Sequence, residues 1–179
     1  MDHNDHVNLL RKGVTASGVW ADLGSGRGAF TLALADLLGP TGQIYSVDKS
    51  QGDLRQQEQS MRSLFPAVTV QYITADFTRP LALPQLDGIV MANSLHYVRK
   101  KDPLLLQLRG YLRPGGRLIL VEYNADRGNP WVPYPLSYQT WEELAGQNGF
   151  ANTHLLERRP SRFLGEIYSA LSLTPSTAE

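Results

Sequence analysis

The stretch Val19-Trp20-Ala21-Asp22-Leu23-Gly24-Ser25-Gly26-Arg27-Gly28-Ala29-Phe30 decides how the rest of the chain is read. Val19 to Leu23 is a short apolar run that breaks into a glycine cluster, the pattern of a buried strand feeding a tight loop. After the loop, Phe30, Ala33, Leu34, Leu37 and Leu38 fall at i, i+3, i+4, i+7 and i+8, the stripe of a helix packed on one face. Gly39-Pro40 ends that helix. One strand, one glycine turn and one helix therefore occupy residues 19 to 38.

The same unit repeats outward. Gln43 to Val47 is strand-like, and a helix is expected from about Asp53 to Phe65, closed by Pro66. Val68 to Thr74 alternates as a strand, Gly88 to Ala92 is an apolar run, and Pro103 to Leu112 turns Leu104, Leu105, Leu108 and Tyr111 inward. A fifth strand, Arg117 to Glu122, follows the turn Arg113-Pro114-Gly115-Gly116. Strands alternating with helices imply right-handed crossovers and a mostly parallel sheet covered on both faces, an α/β fold. The last third departs from this. A helix over Ser137 to Asn148 precedes two strand-like runs, Ala151 to Arg158 and Glu166 to Leu173, too close together for an intervening helix. Such strands pair antiparallel. Asn124 to Pro135 reads as an irregular loop, and Val7 to Arg11 as a short helix over the ligand site.

The chain has 179 residues, 17 Lys plus Arg against 17 Asp plus Glu, and no Cys. That length is one domain, residues 1–179, with 1–18 as a short N-terminal arm. A net charge of zero offers no overall field for phosphates, so polynucleotide partners are disfavoured. Arg158, Arg159 and Arg162 are expected to lie on a solvated loop. The absence of Cys removes thiolate nucleophiles and suits a reducing compartment, so a cytoplasmic location is expected. No apolar run approaches the roughly 18 to 20 residues that span a bilayer, and neither a membrane association nor a secretion signal is expected. No metal site is expected either. His3 and His6, beside Asp2 and Asp5, sit in an expectedly mobile tail.

By itself the glycine loop satisfies the G-x-G-x-x-A variant of the dinucleotide fingerprint. Asp48, about 20 residues further on and at the end of the second strand, suits a ribose diol, which fits a nicotinamide dinucleotide or another adenosine cofactor. Asp76 ends the third strand. Three consecutive strands thus deliver Asp22, Asp48 and Asp76 to the carboxyl edge of the sheet, where ligands bind in such folds. A carboxylate at Asp22 repels a pyrophosphate and suits an ammonium.

At this point the chain resembles the class I S-adenosylmethionine-dependent methyltransferases. Their acidic-x-Gly-x-Gly-x-Gly pattern stands at Asp22 to Gly28. The likeness continues through Tyr45-Ser46-Val47-Asp48, Ala75-Asp76-Phe77, Asn93-Ser94-Leu95-His96 and Leu112-Arg113-Pro114-Gly115-Gly116. The resemblance implies a Rossmann-like, doubly wound, seven-stranded sheet of order 3-2-1-4-5-7-6 with strand 7 antiparallel, one methyltransferase domain, and S-adenosylmethionine as cofactor. It also implies that Gly24, Ser25, Gly26 and Gly28 line the methionine part together with Asp22. Asp48 then holds the ribose, Asp76 the adenine amine, Lys49 and Phe77 the ring, and Asn93 the methionyl end. Arg27 is expected to face solvent.

Methyl transfer from a sulfonium is an in-line displacement that needs alignment and exclusion of water more than a fixed catalytic residue. A base helps only where the acceptor is an acidic O–H, N–H or C–H. His96, after the fourth strand, is the candidate for that role, with packing beside Tyr97 as the alternative; Glu122, Tyr123 and Asn124 rank second. The expected acceptor is a small organic molecule, with Trp131, Tyr134 and Tyr138 as candidate walls for an apolar or aromatic one. Amino methylation of DNA lacks its Pro-Pro-aromatic run after strand four, and chemistry that needs thiols has none. Two further functions stay open from sequence: a non-catalytic S-adenosylmethionine-binding sensor or partner-regulated module, and a nicotinamide oxidoreductase. The oligomeric state is not legible.

Overall fold

Strands buried on both faces form the centre of the molecule, as parallel pairing demands. The computed structural model describes residues 1–176. In chain order the elements are α1 (His3–Arg11), β1 (Gly18–Leu23), α2 (Ala29–Leu38), β2 (Gly42–Asp48), α3 (Gln51–Leu64), β3 (Thr69–Thr74) and β4 (Leu86–Ala92). A single 3-10 turn (Leu95–Tyr97), α4 (Asp102–Tyr111), β5 (Leu112–Tyr123), α5 (Tyr138–Gln147), β6 (Ala151–Ser161) and β7 (Gly165–Leu173) follow. The sheet has the order β3-β2-β1-β4-β5-β7-β6. β1, β2, β3, β4 and β5 pair in parallel, and β7 is antiparallel to both β5 and β6. Fold class and strand order are those the resemblance implied.

The sheet differs from the sequence reading in two details. The turn Arg113–Gly116 does not precede β5; it is a bulge within it. Leu112 already pairs with Leu86, and the register resumes at Arg117 opposite Gly88. The Thr174 hydroxyl pins this bulge, accepting from the Gly116 amide at 2.8 Å and donating to the Arg113 carbonyl at 2.6 Å. A chain segment that loops out between two paired positions leaves no periodic signal. Arg158 and Arg159 lie in β6 and not on a loop. Arg158 pairs with Glu166 across the hairpin, and Arg159 reaches Asp5; only Arg162 stands in the hairpin turn.

One face carries α1, α2 and Met61 of α3, with Val7, Leu9, Leu10, Phe30, Leu34 and Leu38 packed on Trp20, Ile44 and Val90. The other carries α4 and α5, with Leu104, Leu105, Leu108 and Trp141 on Leu23, Ile89, Met91 and Leu120. No helix joins β3 to β4; that connection covers the second face with Phe77, Leu81 and Leu83. The expectation of a mobile tail with a helix over the ligand site does not hold. Asp2 and Asp5 form a capping box, the helix starts at His3, and its buried Val7, Leu9 and Leu10 face α2 and the sheet. None of its residues lines the cleft described below.

Trp20 on β1 stands directly opposite Gly88 on β4, and its ring fills the space where a side chain on residue 88 would sit. Both lie in the middle of the sheet, where backbone and ring have little room to shift. Gly88→Ala is therefore expected to destabilise the protein by about 1 to 3 kcal/mol, the usual range for overpacking, read as a lower denaturation midpoint. An unchanged midpoint would show that the Trp20 ring is free to move.

Candidate functional site

The glycine loop closes the carboxyl end of β1 by bonding to its neighbours. The amides of Gly24 and Ser25 both donate to the Val47 carbonyl, at 2.8 and 3.1 Å. Gly24 has φ +79°, and a Cβ there would meet the Ser94 side chain at 2.5 Å and the Phe77 ring at 3.1 Å. Backbone and aromatic ring thus approach as closely as only glycine permits. Gly28, φ +87°, leads into α2 with no room for a side chain against Gln57. Beneath the loop the Ser46 hydroxyl lies 2.7 Å from that of Ser25 and 2.6 Å from Oε1 of the fully buried Gln57. The amide of Gln57 in turn donates to the Gly26 carbonyl at 3.3 Å.

A cavity of about 510 Å³ opens beside this loop, lined by Gly24, Asp48, Lys49, Asp76, Phe77 and Asn93, and by Ala75, Thr78, Ser94, Tyr97 and Val98. That volume is ordinary for a nucleoside-sized ligand. Asp48 accepts the Gly26 amide on one oxygen and the Ser50 amide on the other, both at 2.8 Å. Its remaining lone pairs are open to further donors. Asp76 accepts the amide and hydroxyl of Thr78 on one oxygen at 2.9 and 2.7 Å, and these bonds hold its carboxyl below the usual range. Asn93 has φ +52°, a strained position for a non-glycine residue. Its amide donates to the Val121 carbonyl at 2.9 Å, while its side-chain oxygen is buried with no donor. The Ser94 hydroxyl donates to the Leu23 carbonyl at 2.8 Å, joining the β4 end to the glycine loop.

Of the residues singled out by sequence, the cavity therefore gathers Gly24, Asp48, Lys49, Asp76, Phe77 and Asn93. Ser25, Gly26 and Gly28 belong to the loop behind it, Gly26 through its bond to Asp48. Asp22 is buried under the loop, accepting the Thr31 hydroxyl at 2.6 Å. Burial raises its pKa to about 7, with the Asp48 charge adding to the rise and Thr31 opposing it. Near neutral pH a carboxyl in that state repels a pyrophosphate only weakly, so the electrostatic reason for preferring an ammonium loses force. Arg27 is largely exposed, 3.3 Å from Asp53.

His96 is buried in the 3-10 turn between cavity-lining Ser94 and Tyr97. Its Nδ1 lies 2.8 and 3.0 Å from the two carboxylate oxygens of Glu122, which is fully buried at the end of β5. Glu122 also accepts the amides of Tyr123 and His96, at 2.8 and 3.2 Å. With Nδ1 donating to the carboxylate, Nε2 is left with a lone pair, and it is buried without a partner. Neighbouring rings form a chain outward: His96 to Tyr97 at 4.3 Å, His96 to Tyr123 at 6.0 Å, Tyr123 to Phe163 at 5.6 Å and Phe163 to Trp131 at 6.5 Å. Trp131, Tyr134, Tyr97 and Phe163 are all exposed. Tyr138 is not part of this group; it stacks edge-on with Tyr168 and donates to Glu142. Asn124 bonds Glu166 and the Tyr138 amide and serves the loop. Phe163 and the Ser46–Gln57 support went unnoticed in the sequence, and Tyr97 was read only as packing beside His96, because their relevance comes from neighbours far along the chain. Among the described residues, no group of three His, Cys, Asp or Glu side chains could hold a metal ion.

The raised pKa of Asp22 has a definite sign. Below its unfolded value of 3.8 both states hold the proton, and the contribution to stability is complete. As pH rises from there to about 7, the unfolded chain releases the proton while the native chain keeps it, so stability falls; above that window it levels. Asp22→Asn is expected to remove this descending component from a plot of unfolding free energy against pH. A variant with the wild-type slope would refute the buried, protonated carboxyl.

A family model described as a methyltransferase domain matches residues 21–118. The ubiquinone/menaquinone biosynthesis C-methyltransferase UbiE of Pasteurella multocida is 31% identical over 105 residues, 58% of this chain and 39% of that protein. The corresponding protein of Ectopseudomonas mendocina is 30% identical over 61% of this chain and 43% of that one. The chain thus spans about two fifths of the length of these relatives. Among solved structures, a putative methyltransferase of Bacillus halodurans superposes with a TM-score of 0.77 at 12% identity, covering 96% of this chain and 99% of that one. The 1,6-didemethyltoxoflavin N1-methyltransferase of Burkholderia thailandensis, solved with bound 1,6-didemethyltoxoflavin and S-adenosylhomocysteine, gives 0.75 at 16% identity, with 97% and 78% covered. With a family model spanning more than half of its length and the strand order of that class, the chain belongs to the methyltransferase domain family, within the class I S-adenosylmethionine-dependent enzymes.

Proposed function

We propose that this domain transfers the methyl group of S-adenosylmethionine to a small organic acceptor. The observation that carries the reading is one cavity in which Asp48 and Asp76 retain free acceptor capacity and the buried Asn93 oxygen has no donor. These residues fit the cofactor. In this reading Asp48 takes the ribose hydroxyls, Asp76 the adenine amine, and Lys49 and Phe77 flank the ring. Asn93 offers the acceptor that an amino acid's ammonium would satisfy, and Gly24 gives bare backbone at the methionine part. Ser25, Gly26 and Gly28 hold the loop in shape, and Asp22 supports it from below.

The cofactor supplies an activated methyl group with a neutral leaving group, and the protein's share is alignment and exclusion of water. His96 is the base in this reading. Glu122 fixes the tautomer that leaves Nε2 free and stabilises the imidazolium once a proton arrives, the division of labour seen in other carboxylate–histidine pairs. Such a base serves an acceptor whose reacting atom must lose a proton. Exposed Tyr97, with Trp131, Tyr134 and Phe163 further out, suits an aromatic or apolar acceptor body. The kinship with C-methyltransferases of ubiquinone/menaquinone biosynthesis is in keeping with that chemistry. No helix is long and apolar enough to cross a membrane, and the lack of Cys goes with a cytoplasmic setting.

Two measurements test this. In calorimetry, S-adenosylmethionine and its demethylated product are expected to bind while NAD does not, and Asp48→Ala is expected to cost about 1.5 to 3 kcal/mol, the range for charge-assisted hydrogen bonds. Unchanged affinity would reject the ribose contact. With labelled methyl donor and pools of small metabolites, His96→Gln is expected to lower turnover by about 10² to 10⁴ at wild-type cofactor affinity. Absence of labelled product from every pool would favour a binding module instead.

A further inference from the structure

We infer that Lys101 is a positioning residue that fastens the strap between β5 and α5 onto the turn carrying His96. The inference rests on the reading of His96 as the base. Lys101 precedes α4, and its ammonium donates to two carbonyl oxygens at 2.9 Å each: Val98, just after the His96 turn, and Tyr134, in the strap. The Tyr134 ring lies 6.0 Å from the same ammonium. On the other side of the seam the Tyr134 amide donates to the His96 carbonyl at 3.0 Å. Three hydrogen bonds therefore close a ring through Val98, Lys101, Tyr134 and His96, and Lys101 supplies two of them.

The other ties of the strap lie away from this seam. Its Gly128–Pro133 part folds on itself, with the Asn129 amide donating to the Val132 carbonyl and Asn129 Oδ1 accepting the Trp131 and Val132 amides. Val132 and Leu136 are buried, and the Leu136 carbonyl accepts the Tyr168 hydroxyl at 3.2 Å, while Trp131 and Tyr134 are exposed. At the seam itself, the Tyr134 amide is the hydrogen bond that remains once the ammonium is gone.

Lys101 is half-buried, and Glu122 is the carboxylate whose charge acts on it, opposing the fall that burial imposes on the ammonium. The donor that ties the strap therefore lies close to the His96–Glu122 pair.

The test uses the whole chain and reads a signal that needs no turnover. In Lys101→Met, exchange of the Tyr134 amide is expected to speed up about tenfold or more relative to the Trp141 amide inside α5, since a tethered segment becomes free to open. Lys101→Arg, which keeps the charge and can still donate to both carbonyls, is expected to restore wild-type exchange. Lys101→Gln, too short to reach both carbonyls, is expected to speed exchange likewise and carries the measurement should the methionine variant fail to fold. Wild-type exchange of the Tyr134 amide in a folded variant overturns the inference. Where methyl transfer is measurable, kcat falls in Lys101→Met while KM for S-adenosylmethionine holds, and Lys101→Arg restores kcat; an unchanged kcat overturns the positioning role. If exchange speeds up and no acceptor is ever methylated, the fastening stands and the assignment of His96 as base falls.

Discussion

The bond from the Gly26 amide to the Asp48 carboxylate joins the two parts on which the cleft depends. It connects the turn after β1 to the end of β2, and it does so at 2.8 Å with an ionisable acceptor, stronger than a neutral pair. The second Asp48 oxygen takes the Ser50 amide, at the position whose hydroxyl caps α3. One carboxylate therefore sets the height of the glycine loop, the end of β2 and the start of α3. The Ser46–Gln57 bonds carry the same loop from beneath, with Gly24, Gly26 and Gly28 at positive φ. Preorganisation of this kind lowers the ordering cost of binding.

Two buried acids behind that rim are handled differently. Asp22 has one donor, the Thr31 hydroxyl, and burial raises its pKa to about 7. Glu122 has two backbone amides and the imidazole of His96, donors enough to satisfy a buried carboxylate. The first is suited to support a loop with little charge of its own. The second is suited to orient a histidine and to compensate a positive charge that forms on it. Strand ends thus supply carboxyl groups to the same edge of the sheet for different work, and what separates them is the number of donors each meets.

Much of the fold was legible because its signals are local. The period-2 and period-3.6 apolar patterns of residues 19 to 74, the glycine turn and the short gap between the last two strands are each read within a window of a few residues. The ends of β1, β2 and β3 were placed correctly enough to bring Asp48 and Asp76 to one cavity. What escaped depends on distant partners. The bulge of Arg113–Gly116 is defined by Thr174, the helix α1 gains its order from α2 and the sheet, and burial raises the pKa of Asp22 to about 7. Glu122 ranked only as a secondary candidate because its pairing with His96 follows from the adjacency of β4 and β5, 26 residues apart in sequence.

The aromatic rim shows how such distant placement shapes chemistry. Tyr97 comes from the turn after β4, Trp131 from the strap and Phe163 from the β6–β7 hairpin, and Tyr123 at the end of β5 lies between His96 and Phe163. Tyr97, Trp131 and Phe163 are exposed, although each is large enough to contribute to a core. The imidazole lies at the inner end of the series with its free nitrogen buried. A planar acceptor that stacked along the rings and displaced Tyr97 would reach that nitrogen without bringing water to it, whereas a small hydrophilic acceptor would have nothing to replace the Tyr97 contact. On the proposed function, the rim would select acceptors by the apolar area they offer, and the carboxylate–histidine pair by the acidity of the atom they present.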